Sequence, residues 1–588
     1  MMKSEEKDFT DQKLTEIKTE SYKFIDKWKD RNDYLSNPQV LYEAIKEYES
    51  WATNYGTSGN LGYYFSLKSH LDESDTKIKA ICNQIHDFST KIENDIQFFM
   101  HRISKISFED QTKFLDFEKL SEYKHMLEKL FQESKYLLSE PEEKILNLKS
   151  LTSYSNWTKM TSTFLSKEEA YVLDEKTNKK SKKNFSEISS LMSSTNKEVR
   201  KSAKNAFDKI QKKYVEVAEH EINSILQNKK IDDELRNFSR PDTARHLSDD
   251  ISTDVVDAMI DSVSKNFKIA HDYYELKAKL FKVKKLDYED RNVPYGEIEK
   301  SYAFEKSTKL VKSVFNNLDK EFFEIFECFI NNGQVDVFPK KAKSAGAFCT
   351  HGTIKQPTYI LLNHTNKLND VLTLAHELGH GINNEFIKKS QGELNFDTPL
   401  STAEVASTFM EDFVLGKILK TANDEERLSI MMMKLNDDIS TIFRQVACYK
   451  FEQELHFEFR QKGYLSKEEI GIIFKKHMNS YMGEYVDQPK GTENWWVYWS
   501  HIRSFFYVYS YASGLLISKS LQNKVKKDKS FILKVKIFLS AGLSKAPKDI
   551  FDELDIDISK NDFWQNGLNE TKSLLTETEA LAKKLKKI

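Results

Sequence analysis

The sequence predicts a mainly α protein with a small β-sheet beside one ligand-bearing helix. Three observations predict it. Only 18 Gly and 9 Pro punctuate 588 residues, so helices can run long without breakers. The 89 Lys and Arg nearly balance 91 Asp and Glu, as on the solvated outer faces of many packed helices. Two β-prone runs, one around Phe348 and one over residues 359–362, stand just ahead of a helix with a strong apolar period.

Taken in order, residues 1 to about 190 read as successive amphipathic helices, among them 38–51 and 75–103. Nothing catalytic stands out there. Lys176, Lys179, Lys180, Lys182 and Lys183 form the one dense basic patch, set among Asn and Ser, and read as a solvated loop. Ser193-Ser194-Thr195 opens a helix over 197–210 and marks a boundary. The expected division is an N-terminal helical domain, 1–190, and a catalytic domain, 191–588. Helices continue to about residue 330, interrupted near 288–296. The two strands follow, the first bracketed by Gly346 and Gly352. Further helical cover includes residues 441–445. Leu574, Leu581, Leu585 and Ile588 give the last segment helical spacing and a packing face.

The helix after the strands carries His376-Glu377-Leu378-Gly379-His380. Asn369 can cap it, Asp370 suits its first turn, and Val371, Leu372, Leu374, Ala375, Leu378 and Ile382 form its buried face. Histidines four apart lie one turn above each other, so His376 and His380 can reach one zinc ion. Glu377 sits at the edge of that face. Zinc lowers the pKa of a bound water to about 7, and a nearby carboxylate can take its proton and later pass it to a leaving amine. Peptide-bond hydrolysis is the implied reaction.

A catalytic zinc site needs a third protein ligand. The metzincin pattern would require Gly and His where this chain has Asn383 and Phe386. Glu404 is the expected third ligand, the first acid of the helical pattern that opens at Ser401 after the Asp397-Thr398-Pro399 turn. Ser401-x-x-Glu404 also fits a capping box. Glu411 is the reserve candidate, and Glu385 points away on the metal helix. An edge strand beside such a site can pair with an extended peptide, which makes Gly346, Ala347 and Phe348 candidate substrate-binding residues. A purely structural hairpin is the alternative.

Asn369-Asp-Val-Leu-Thr-Leu-Ala-His-Glu-Leu-Gly-His380 and Ala403-Glu-Val-Ala-Ser-Thr408 resemble the core signature of the oligoendopeptidase F family, thimet-oligopeptidase-like zinc peptidases. Ser344-Ala-Gly-Ala-Phe-Cys349, Tyr359-Ile-Leu-Leu-Asn363, and Phe538-Leu-Ser-Ala-Gly542 through Pro547 agree with it. The similarity runs from about residue 190 to the end. It implies one zinc ion with Glu404 as a ligand, and a helical body enclosing a channel that admits oligopeptides. It also implies that a His followed by tyrosines stabilises the tetrahedral intermediate, here His501 with one or two of Tyr507, Tyr509 and Tyr511. Of these, Tyr507 and Tyr511 share a helical face and Tyr509 points elsewhere. The family usually has Pro-His-Phe where this chain has Ser500-His501-Ile502.

Composition excludes other classes. A net charge of −2 and a pI near 6.7 leave no basic footprint for nucleic acid. The longest uncharged apolar run, 504–518, is too short to cross about 30 Å of hydrocarbon, and the N-terminus lacks an apolar h-region. Cys82, Cys328, Cys349 and Cys448 form no C-x-x-C pair and read as free thiols in a reducing cytoplasm. The sequence assigns no oligomeric state. A zinc carboxypeptidase and a catalytically silent peptide-binding protein are the rival readings.

Overall fold

The structure, a computed structural model, describes residues 4–296, 298 and 300–588. The chain divides into two compact units, each assembled from three stretches of sequence. One comprises Met1–Lys135, Lys300–Lys417 and Lys524–Asp555, the other Tyr136–Glu299, Ile418–Asn523 and Ile556–Ile588. The protein is mainly α, as expected, with helix over 73% of its length. Its named strands are β1 (Glu169–Leu173), β2 (Lys180–Asn184), β3 (Val335–Asp336), β4 (Phe348–Thr350) and β5 (Tyr359–Leu361).

In the first unit, local chemistry sets the helix starts. The Asn37 side chain accepts the Gln39 and Val40 N–H groups at the head of Pro38–Tyr55, where Pro38 has no N–H to lose. Asp75 does the same for Lys77 and Ile78. The helix expected over 75–103 is two helices, Thr76–Ile96 and Phe98–Ser104, parted at Gln97. Phe24, Trp28, Tyr34, Ile45 and Phe99 are buried together, Phe24 meeting Phe99 edge-on at 5.2 Å.

The sheet of this unit has the order β3-β5-β4, with β3 parallel and β4 antiparallel to β5. Strands β4 and β5 stand where the sequence puts them, with Cys349 opposite Ile360. Strand β3 was not legible, because two residues carry no period. The sheet packs on the Leu368–Ser390 helix through β4 and β5, where Ile360 and Leu361 are buried. That helix is covered on another side by Ile532–Ser540, and Asn383 and Gln391 donate side-chain N–H groups to the Leu539 and Ser540 carbonyls at 2.8 and 2.9 Å. The segment around Phe538 is thereby tied to the helix that carries the histidines.

In the second unit, Asn196 caps a helix that runs from Lys197 to Leu235, far beyond the expected 210, burying Val199, Phe207 and Ile225. The basic patch is not simply a loop. Lys180, Lys182 and Lys183 lie in β2, paired antiparallel with β1 opposite Leu173, Tyr171 and Ala170, and two of them also meet acids, Lys182 with Glu169 at 2.5 Å and Lys183 with Asp174 at 3.1 Å. Asp424–Asp438 and Gln445–Lys462 are joined by a π-helical turn, Ile439–Arg444. Gly567 of the Asn561–Lys584 helix packs so closely that a Cβ there would stand 2.8 Å from the Leu516 carbonyl oxygen of the Tyr509–Lys527 helix. The buried line of the last helix is Leu568, Leu575 and Ala582, while the expected Leu574, Leu581 and Leu585 are half-buried beside it. No helix among the described residues is long and apolar enough to cross a membrane.

Candidate active site

The helix Leu368–Ser390 starts one residue ahead of the expected cap. Its N-terminus is closed by Asp370, whose carboxylate accepts the N–H groups of Thr365 and Lys367 at 2.6 and 2.9 Å. Val371, Leu374, Ala375, Leu378 and Ile382 are fully buried, which fixes the rotation of the helix. His376 and His380 then stand one turn apart on the face left over, ring centroids 5.1 Å from each other.

Glu404 meets both from the start of the Val405–Leu419 helix. Its Oε2 lies 3.2 Å from His376 Nε2 and 3.6 Å from His380 Nε2. The close approach requires Gly379, where a Cβ would stand 2.6 Å from the Ser407 Cα and 2.7 Å from the Ala406 carbonyl oxygen. The capping-box alternative fails on geometry. Glu404 precedes the helix and turns its carboxylate to the histidines, accepting the Ser407 hydroxyl at 3.0 Å. Glu411 stands behind His376, its Oε2 3.0 Å from Nδ1. Glu385 is engaged elsewhere, with Lys388 at 2.9 Å.

The donor set fits a tetrahedral divalent metal. One ligand atom from each of His376, His380 and Glu404 lies within 4.8 Å of the others. Nitrogen and oxygen ligands at about 2.0–2.2 Å around a tetrahedral ion stand roughly 3.4 Å apart, close to the 3.2 and 3.6 Å separations from Glu404. The cluster also draws positive charge. Burial pulls the His376 imidazolium down, but Glu404 and Glu411 outweigh it and push it to about 10. Burial lowers His380 to about 4, leaving it a neutral donor. Burial raises Glu404, yet the two histidines more than offset that and hold it at about 2. Glu377, buried beside them, is pushed up to about 7 by burial, partly opposed by His376 and by the Cys349 backbone N–H.

These groups open on one pocket of about 390 Å³. Phe348 lines it from β4 and Ala347 from the position just before that strand, whereas Gly346 is not part of its wall. Gly346 takes φ +80° and its carbonyl accepts the Asn363 amide at 2.8 Å, so it sets the entry of the chain into β4. Cys349 also lines the pocket, with burial and then Glu377 holding its thiol well above the ordinary range. His351 and Asn384 escaped the sequence reading. Asn384 lies one turn beyond His380 on the same helix, and that spacing was the available signal; its amide meets His351 Nδ1 at 3.1 Å.

His501, Tyr507 and Tyr511 come together in the second unit. His501 Nε2 lies 3.2 Å from the Tyr511 hydroxyl, and the three rings stand 5.6 to 5.9 Å apart. Burial and then the Arg444 cation pull the His501 imidazolium below its ordinary range. Tyr509 does not join them. Its ring is fully buried and its hydroxyl donates to Asp249 at 2.8 Å. The helical face expected to unite Tyr507 with Tyr511 also begins later than assumed, since the helix starts at Tyr509.

Comparison with known proteins agrees with the resemblance read from the sequence. The profile of peptidase family M3 matches residues 190–570, and that of Oligopeptidase F matches residues 102–167. An oligoendopeptidase F homolog of Borreliella burgdorferi is 27% identical, covering 96% of this chain and 94% of its own. Oligopeptidase PepF of Bacillus subtilis is 26% identical over 93% of this chain and 82% of its own. The crystal structure of oligoendopeptidase-F from Enterococcus faecium superposes with a TM-score of 0.74 at 19% identity, covering 98% of this chain and 99% of its own. The chain belongs to peptidase family M3.

Proposed function

We propose that this peptidase is a zinc-dependent endopeptidase that cuts internal bonds of short oligopeptides. The observation that carries the reading is the convergence of His376, His380 and Glu404 on one point, with Glu377 buried beside them on the same pocket wall. Relatives named oligoendopeptidase F supply the substrate class.

His376, His380 and Glu404 would hold one zinc ion, which when bound supplies a Lewis acid that lowers the pKa of water to about 7 and polarises a carbonyl. Glu377 takes the proton of the attacking water on its carboxylate and returns it to the nitrogen of the leaving amine. Its place on the pocket wall beside the two histidines suits it to both transfers. Glu411 holds the hydrogen of His376 on Nδ1, so that Nε2 keeps its lone pair toward the site. Ala347 and Phe348 offer the backbone of an edge strand to an extended peptide, with Gly346 setting the strand's approach. His501 and Tyr511, with Tyr507 beside them, donate hydrogen to the carbonyl oxygen as charge develops on it. All of these groups fall within residues 191–588, which we assign as the catalytic domain behind an N-terminal helical domain, 1–190. Four free thiols suit a cytoplasmic location.

The test is an internally quenched, C-terminally amidated oligopeptide incubated with the zinc-loaded protein. Internal cleavage that chelator abolishes and added zinc restores is expected. Trimming of only the free-acid form would make the protein a carboxypeptidase, and binding without cleavage of either form would make it a silent peptide binder.

A further inference from the structure

Between His501 and the Tyr509–Lys527 helix the chain reverses through two consecutive non-glycine residues with positive φ, Phe505 at +43° and Phe506 at +56°. Such a pair is unfavourable for L side chains and persists only where its surroundings hold it. This reversal lies on the short stretch of backbone that joins His501 to Tyr507 and, through the start of the helix, to Tyr511. Glycine would relieve the strain, but phenylalanine supplies anchors. The Phe506 ring is fully buried against Tyr449 and His456, centroids at 5.4 and 4.8 Å.

The backbone of the turn is held from two sides. Arg245 donates to the Ser504 and Phe505 carbonyls at 2.8 and 3.2 Å. From the interior, Glu452 of the Gln445–Lys462 helix accepts the Phe506 N–H at 2.6 Å. Glu452 is fully buried, no ion pair to its carboxyl is found among the described residues beyond the weak field of Arg245, and its Oε1 has no hydrogen-bond partner there. Burial pushes that carboxyl up to about 8. A buried acid with so little compensation is costly to keep for packing alone, and the hydrogen bond found on it among the described residues comes from the strained turn.

We propose that Glu452 is a positioning residue: by accepting the Phe506 N–H it holds the left-handed Phe505–Phe506 turn that brings Tyr507 and Tyr511 onto His501. The inference rests on the role assigned above to His501 and Tyr511. Glu452 touches neither substrate nor metal and acts through the turn.

The experiment compares Glu452→Leu and Glu452→Gln as zinc-loaded full-length protein on the quenched peptide, with metal content and melting temperature measured alongside. Glu452→Leu removes the acceptor and should lower kcat by about 100-fold, the scale of an ångström of misplacement, while KM and zinc stoichiometry stay close to wild type. Glu452→Gln keeps an acceptor of the same shape and should restore most of kcat. A folded Glu452→Leu with wild-type kcat overturns the proposal, as does a Gln variant as impaired as the Leu variant. If Glu452→Leu does not fold, Glu452→Asp withdraws the acceptor from the Phe506 N–H by one methylene; a fall in kcat at constant KM supports the proposal and an unchanged kcat overturns it. Failure of the functional reading itself looks different, because the wild-type protein would then be inactive.

Discussion

Gly379 lies against Ser407 so closely that a Cβ on the glycine would stand 2.6 Å from the Ser407 Cα. The atoms it would meet are backbone, which cannot rotate aside. The glycine inside the H-E-x-x-H segment therefore sets the distance between the helix bearing the two histidines and the one that Glu404 opens. Gly379→Ala should force these helices apart, costing roughly 1–3 kcal/mol as overpacking does. It should also lower zinc affinity more than its effect on melting temperature would suggest. Zinc titration and thermal unfolding of the one variant check this, and unaltered zinc affinity would refute it.

Glu404 supplies the oxygen that faces both imidazoles, at 3.2 and 3.6 Å. Glu404→Ala leaves the two imidazoles and removes the carboxylate proposed as the third ligand. Zinc retained after dialysis should fall from one equivalent to almost none. Full retention would transfer the role to another acid.

Glu411 approaches the other nitrogen of His376, at 3.0 Å. A carboxylate there fixes the tautomer and raises the basicity of the liganding nitrogen, and losing such a partner typically costs about 10–100-fold in metal affinity. Glu411→Gln should thus bind zinc more weakly than wild type yet far better than Glu404→Ala. If both variants lose the metal equally, Glu411 is itself a ligand.

Glu377 lines the same pocket without taking part in the His–Glu cluster. Glu377→Gln preserves shape and removes the proton acceptor, so zinc binding should persist while peptide cleavage falls by at least about 100-fold, the lower range for a general base. Substantial remaining turnover would assign the proton transfer elsewhere.

What the sequence revealed tracks how local each signal is. His376, Glu377 and His380 are one turn of one helix, so spacing alone brings them together. Glu404 lies on a separate element, and its placement came from counting ligands and from family resemblance. The position of Glu411 behind Nδ1 depends on a ring orientation that no spacing encodes. Tyr509 was grouped with Tyr507 and Tyr511 because the three follow His501, but the helix begins only at Tyr509 and two left-handed phenylalanines precede it. Neither the turn nor the acid beneath it has a local pattern, since Phe506 and Glu452 meet only in the folded chain. Strand β3 and the lysine-bearing β2 were missed for a related reason, as their pairing partners, and not their own residues, make them strands.

Glu452 also gives the protein a distinctive pH dependence. Burial is the main cause that lifts its carboxyl from 4.5 to about 8, against the smaller pull of the Phe506 N–H and Arg245. Between those values the folded protein keeps a proton that the unfolded chain has released. The stability contributed by this group is therefore fully present below about pH 4.5 and is lost as pH rises through about 8. With each pKa unit worth about 1.4 kcal/mol, the loss is capped at a few kcal/mol. Glu452→Gln cannot titrate, so its urea midpoint relative to wild type should climb steadily from about pH 5 to about pH 8 and level off above that. Both proteins carry every other titrating group, which cancels in the difference. A difference that stays flat across this range would mean that the carboxyl titrates near its ordinary value, and the lift assigned to burial of Glu452 would have to be abandoned.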